Sequence, residues 1–184
     1  REFFQRECQR FGLINCDDDD IIISSDCDEI INPASFKEGY SKIKDMIKEN
    51  VYSFEQTFYT YYVNVVNVNE SPWFGSKIGS YRHIKNMSFN KLRSGQYQSI
   101  PDGGWHFSFL GGIDKIKEKL EAYSHQEYNN DYIKNSLEQN INNNIDPFFR
   151  GTMEVVPIDK TYPEYLLNNI EKYEHLIKNT SKDQ

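Results

Sequence analysis

The stretch Ile21-Ile-Ile-Ser-Ser-Asp-Cys-Asp-Glu29 decides how the chain is read. Its first five residues are a short apolar, β-branched run, of the kind that forms a strand buried on both faces of a sheet. The run ends on two carboxylates, Asp26 and Asp28, separated by one residue and followed by Glu29. Open α/β sheets bind ligands outside the carboxyl ends of their strands, so chemistry is expected at this edge. Two such carboxylates suit a hard divalent cation, Mg²⁺ or Mn²⁺, which prefers carboxylate, water and phosphate oxygens and can bridge to a diphosphate. A plain solvated acidic turn is the alternative, because Asp17 to Asp20 already make the neighbourhood acidic.

Upstream, Phe3, Phe4 and Phe11 among charged residues read as the end of a helix leading to Gly12, with further chain expected before it. Downstream, Pro33 opens a helix in which Phe36, Tyr40, Ile43 and Ile47 recur at helical spacing. Residues 51–69 are rich in Tyr, Phe, Val and Thr and predict one long strand or a pair, with Trp73-Phe-Gly as the turn beyond. Residues 82–89 read as a weak strand, Gly95 and Pro101-Asp-Gly-Gly as loops, and Trp105-His-Phe-Ser-Phe-Leu as an alternating strand.

Ile113, Ile116 and Leu120 on one face predict an amphipathic helix ending near Tyr123. The Asn-rich residues 129–145 read as a poorly packed helix and loop. A last helix from Pro163 should bury Tyr165, Leu166, Ile170, Tyr173 and Leu176 or Ile177 before residues 179–184 fray. The whole reads as α/β, with one domain over residues 1–178 and no internal repeat.

Composition narrows the function classes. Of 184 residues, 38% are hydrophobic and 15% aromatic, which places the chain among folded proteins. A net charge of -7 and scattered Lys and Arg give no drive toward a phosphate backbone, so nucleic acid is not an expected partner. Cys8, Cys16 and Cys27 match no zinc or disulfide spacing and read as free thiols. No run approaches the ~18 apolar residues of a membrane span. Asn69-Glu-Ser, Asn86-Met-Ser and Asn179-Thr-Ser are formal glycosylation sequons, which leave the compartment open.

Two further constellations carry chemistry. In Gly103-Gly-Trp-His-Phe-Ser-Phe109, the glycines allow close backbone approach and Trp105 offers a face that stacks on sugar rings, with His106 near the loop end; the alternative is a Gly-Gly turn entering a core strand. In Tyr123-Ser-His-Gln-Glu-Tyr128, His125 suits a metal or phosphate and Glu127 suits proton abstraction; the alternative is a helix C-terminus, where the dipole favours a His. Lys77, Arg82, Arg93 and Arg150 are isolated cations able to neutralise phosphate, or ordinary surface residues. His83 and His175 read as structural or exposed.

Taken in order, Arg1-Glu-Phe-Phe-Gln-Arg, Ile22-Ile-Ser-Ser-Asp-Cys-Asp-Glu-Ile, Gly104-Trp-His-Phe-Ser, Lys119-Leu-Glu-Ala-Tyr-Ser-His-Gln-Glu-Tyr and Tyr162-Pro-Glu-Tyr-Leu-Leu resemble glycosyltransferase family 17. The family includes the enzyme that adds the bisecting N-acetylglucosamine (GlcNAc) to N-glycans. The resemblance implies a GT-A-like nucleotide-sugar-binding mixed sheet flanked by helices, here lacking its first N-terminal strands, and a UDP-GlcNAc donor. It also implies a divalent metal, usually Mn²⁺, an oligosaccharide or glycoprotein acceptor, and inversion at the anomeric carbon.

Carried over by position, the acidic motif falls on Asp26, Asp28 and Glu29, and the Gly-Trp-His motif on Gly104, Trp105 and His106. The metal is then expected on Asp26 and Asp28, with His125 as a further ligand and Arg93 beside the donor. Glu127 is the expected base, with Glu29 and Asp102 as rivals. A eukaryotic relative works in the Golgi lumen behind an N-terminal anchor, a bacterial or viral one in the cytoplasm. Two other readings compete: a metal-dependent nucleotidyl- or phosphotransferase, and a non-catalytic carbohydrate-binding remnant.

Overall fold

The computed structural model describes residues 11–37, 40–122 and 125–179; of residues 36, 37 and 40–42 only the backbone is described. The segment before Phe11, Cys8, the side chains of Phe36 and Tyr40, Tyr123 and the tail from residue 180 lie outside the described residues. The protein is α/β, with a mixed, curled sheet flanked by helices. The chain divides into two compact units: Arg1–Gln56 with Trp73–Trp105, and Thr57–Pro72 with His106–Gln184.

In the first unit, β1 (Ile21–Ser24) pairs antiparallel with β5 (Lys77–Ser80), setting Ile21 opposite Ser80 and Ser24 opposite Lys77. Strand β5 pairs in turn with the start of β3 (Tyr52–Thr60), and β2 (Glu29–Ile31) pairs with β6 (Gln98–Ser108). With a neighbour on each side, all four residues of β5 are buried. Among the described residues strand β1 ends the strand order, and the expectation of a strand buried on both faces is corrected: Ile23 is 47% exposed. A short β-branched run has the same sequence at an edge as at a centre.

Ile21 packs against Ile47, Tyr52, Phe54 and Ile78, while Ile22 packs on a second cluster of Val51, Ile84 and Leu92. Helix α1 (Ala34–Lys37) precedes α2 (Tyr40–Glu49), which contributes Ile43, Met46 and Ile47 to the first cluster.

Two expectations here are overturned. Residues 82–89 are not a strand: α3 (Tyr81–Ile84) and α4 (Phe89–Ser94) bury Ile84 and Leu92, and the Ser88 hydroxyl caps α4 by accepting from the Lys91 amide. Pro101-Asp-Gly-Gly is not a loop but lies inside β6, with Asp102 at φ 51° and Gly104 at φ 135°. Loop-forming residues here serve a strand kink: a Cβ on Gly104 would stand 2.1 Å from the Ile30 carbonyl oxygen, so only glycine permits the approach of β2.

In the second unit, β4 (Val65–Val66) pairs antiparallel with the end of β3 and with β7 (Glu154–Val155). Helix α5 (Gly112–Ala122) buries Ile116 and Leu120 as the sequence predicts. The Asn-rich stretch is corrected: α6 (Asp131–Asn142) is capped by the Asn130 side chain and buries Ile133, Leu137 and Ile141 at four-residue spacing in the same core. Asn135 and Asn142 are exposed while Asn140 is buried beside Ile141, and together they mask an apolar stripe in any reading based on composition. The final helix is also shorter than expected: α7 (Glu164–Leu167) gives way to a 3₁₀ segment, Ile170–Leu176, and Tyr165 is 64% exposed. Cys16 and Cys27 are free thiols, and no described helix is long and apolar enough to cross a membrane.

A buried carboxylate organises the turn before β7. Asp146, wholly inaccessible, accepts from Asn67 Nδ2 at 2.8 Å, the Phe148 amide at 2.8 Å, and Arg150 Nε and Nη2 at 3.0 and 2.9 Å. Its negative charge, together with burial, pushes the Tyr61 hydroxyl well above the usual tyrosine range, burial being the larger cause. Removing one partner of a buried pair typically costs about 3–5 kcal/mol. The Arg150 side chain is 35% exposed and water can take over part of its solvation, so Asp146→Ala is expected at the lower end, about 3 kcal/mol, in urea denaturation. A loss below about 1 kcal/mol, ordinary for a surface substitution, would show that the turn does not depend on this carboxylate.

Candidate functional site

Strand β1 delivers the chain to a tight turn, Ser25-Asp-Cys-Asp28, closed by the Glu29 amide donating to the Asp26 carbonyl at 3.1 Å. Glu29, only 7% exposed, then turns its carboxylate back over that turn. Oε1 accepts from Trp73 Nε1 at 2.7 Å; Oε2 accepts from the Ser76 hydroxyl at 2.8 Å, the Asp26 amide at 3.0 Å and the Ser25 hydroxyl at 3.4 Å. A carboxylate so supplied with donors is fixed in place. Glu29, a rival for the base, is thus the fastener between the acidic turn and residues 73–76.

Gly75 completes the contact, since a Cβ there would lie 1.7 Å from Glu29 Oε1 and 2.2 Å from Trp73 Nε1. Beneath the turn, Lys77 is 2% exposed and its ammonium donates to the Phe74 carbonyl. Burial lowers its pKa, the Glu29 charge opposes that shift, and Arg93 adds to it. Arg93 forms an ion pair with Asp26; the two side chains are 39% and 35% exposed. Asp28 is half-buried in the same turn. The structure therefore brings Asp26, Asp28, Glu29 and Arg93 together, and adds Trp73, Ser76 and Lys77.

Among the described residues, no three His, Cys, Asp or Glu side chains are grouped so as to hold a metal ion. The donor set at Asp26 and Asp28 is nonetheless of the right kind for a hard cation that keeps waters and takes its remaining ligands from substrate phosphates. Such an ion meets the Arg93 guanidinium as its competitor at Asp26.

The remaining sequence-chosen residues make contacts of their own. Asp102 is exposed, and its carbonyl accepts from Asn32 Nδ2 at 3.1 Å. Gly104 serves the approach of β6 to β2, and Trp105 at 7% exposure faces the interior rather than offering an open ring face. His106 is 6% exposed and stacks on Phe58 with ring centroids 4.4 Å apart. His125 and Glu127 belong to the second unit, where His125 Nδ1 lies 2.8 Å from Glu127 Oε1 and both side chains are exposed. The Glu127 pKa is lowered, first by its own backbone amide and then by the His125 hydrogen bond. Of the isolated cations, Arg82 pairs with Asp19 at 2.6 Å and Arg150 with Asp146 at 2.9 Å.

Set against protein-family models, curated proteins and solved structures, the chain finds no match in any of the three, and the chemistry of the site is argued from its own residues.

The geometry separates a fastening Glu29 from a catalytic one. Glu29→Gln keeps the shape but sets an NH₂ group against the donors that meet one carboxylate oxygen, and is expected to cost about 1–3 kcal/mol of stability. A variant that unfolds at the wild-type urea midpoint would remove Glu29 from this structural role.

Proposed function

We propose that the protein is a metal-dependent, inverting glycosyltransferase with a GT-A-like nucleotide-binding sheet, transferring GlcNAc from UDP-GlcNAc to an oligosaccharide or glycoprotein acceptor. The observation that carries the reading is the Asp26-x-Asp28 turn at the end of β1, immobilised from below by Glu29 and flanked by a cation, Arg93. A site that must meet two phosphates needs oxygens for a divalent ion and fixed positive charge for the remaining phosphate oxygens, and this turn has both.

In the proposed reaction an acceptor hydroxyl attacks the anomeric carbon in line with the departing diphosphate. One C–O bond forms to the acceptor, the bond to the phosphate oxygen breaks, and UDP leaves with the electron pair. Bound Mn²⁺ or Mg²⁺ supplies neutralisation of the charge that develops on the diphosphate. Asp26 and Asp28 hold that ion and Arg93 steadies the phosphates. A carboxylate takes the proton of the acceptor hydroxyl. Glu29 has its oxygens committed to four donors.

Titration of UDP-GlcNAc into the protein with and without Mn²⁺, repeated on Asp26→Ala/Asp28→Ala, tests the donor site: metal-dependent binding lost in the double variant is expected. Binding that persists without metal or in the variant would refute the assignment.

A further inference from the structure

The ion pair between Arg93 and Asp26 joins an anchored group to one that can leave. Asp26 is anchored: its amide donates to Glu29 Oε2 at 3.0 Å and its carbonyl accepts from the Glu29 amide at 3.1 Å, so a buried residue holds the backbone that carries the carboxylate. Arg93 is fixed at its root, in the last turn of α4. Leu92 beside it is buried against Val51 and Ile84, and the Gly95 amide closes the helix by donating to the Lys91 carbonyl at 3.0 Å. Tyr97 packs on that end so closely that a Cβ on Gly95 would stand 2.4 Å from its ring. Beyond the root the arginine side chain is 39% exposed, and it can turn away from Asp26 without disturbing the core.

Charge decides when it turns. The site gathers three carboxylates, Asp26, Asp28 and Glu29, against two cations, Arg93 and Lys77, which leaves it one charge negative. The two cations face each other: after burial, and against the pull of Glu29, the Arg93 charge presses the Lys77 pKa down. A divalent ion on Asp26 and Asp28 competes with the guanidinium for the same carboxylate and makes the local balance one charge positive. Arg93 is then left beside Lys77 without its counter-charge. A diphosphate restores the balance, and its oxygens suit the planar fork of a guanidinium better than a single carboxylate oxygen does.

We propose that the Arg93–Asp26 pair is a latch that couples the two ligands: Arg93 withholds Asp26 from a cation that arrives alone, and a diphosphate draws Arg93 away and releases the carboxylate. The latch rests on the reading of this turn as a metal and diphosphate site and adds its regulation. One arginine then acts in opposite directions, weakening the hold on the cation by itself and strengthening it once phosphates are present. By linkage the cation and the diphosphate favour each other by the same factor. An arginine that only braced the turn would help the cation in both circumstances.

Binding of Mn²⁺ to the full chain, followed by the electron paramagnetic resonance signal of the free ion, tests the latch with no nucleotide, with UDP-GlcNAc and with ADP, after subtracting Mn²⁺ held by the nucleotide in solution. Loss of a half-exposed pair shifts an equilibrium by up to about fivefold, so Arg93→Gln should tighten Mn²⁺ alone by about three- to fivefold. The further tightening that UDP-GlcNAc gives the wild type should shrink in this variant by about the same factor or more. Arg82→Gln, which removes an equal charge from the Asp19 pair, should leave Mn²⁺ affinity within about 1.5-fold. The latch is overturned if Arg93→Gln leaves Mn²⁺ affinity unchanged or lower, if neither protein binds Mn²⁺, or if Arg82→Gln gives an equal gain. A nucleotide effect that is absent, or equal in wild type and Arg93→Gln, overturns it as well. Coupling through Arg93 with ADP and none with UDP-GlcNAc upholds the latch and defeats the transferase reading.

Discussion

A carboxylate withdrawn from water has to be met by donors, and this constraint shapes the acidic turn. Glu29 sits at 7% exposure where an unsatisfied charge would cost several kcal/mol. Its four donors come from the turn before it and from residues 73–76, so satisfying it fixes both segments at once. The close fit of Gly75, the orientation of the Trp73 indole and the backbone geometry of Asp26 all follow from where those two oxygens lie. The functional carboxylates proposed here owe their fixed position to a neighbouring carboxylate that is itself fully occupied.

How far this could be read from the sequence depended on range. The run Ile21–Ser25 was legible as a strand, and Asp26 and Asp28 as its acidic end, because both rest on adjacent residues. That β1 ends the strand order, with antiparallel β5 beside it, was not legible, because pairing is decided by residues more than fifty positions away. Lys77 looked like an isolated cation for the same reason: nothing nearby in sequence marks it as the buried neighbour of Glu29. Arg93 was named beside the donor from its charge alone, and its partner is 67 residues distant.

The errors have physical causes as well. Pro101-Asp-Gly-Gly carries every mark of a loop, yet those residues also suit a strand that bends where another backbone comes close. Residues 129–145 look too polar to pack, but one apolar residue in four is enough when Ile133, Leu137 and Ile141 align. Trp105 and His106 invited a reading as sugar contacts through residue type, whereas burial follows from strand register, which residue type does not encode.

The Asp146 arrangement also restricts how this protein can change over generations. Asp146 and Arg150 meet each other's charge, and Asn67 takes a further donor position from a distant segment. An arginine lost before the aspartate leaves a buried, under-compensated anion, while apolar residues of suitable shape at all three places would pack without penalty. The two solutions are comparable in stability but separated by single substitutions that are each worse than either. Lineages carrying this turn are therefore expected to keep or replace the three residues together, so that joint variation at positions 67, 146 and 150 is the trace the buried charge leaves in related sequences.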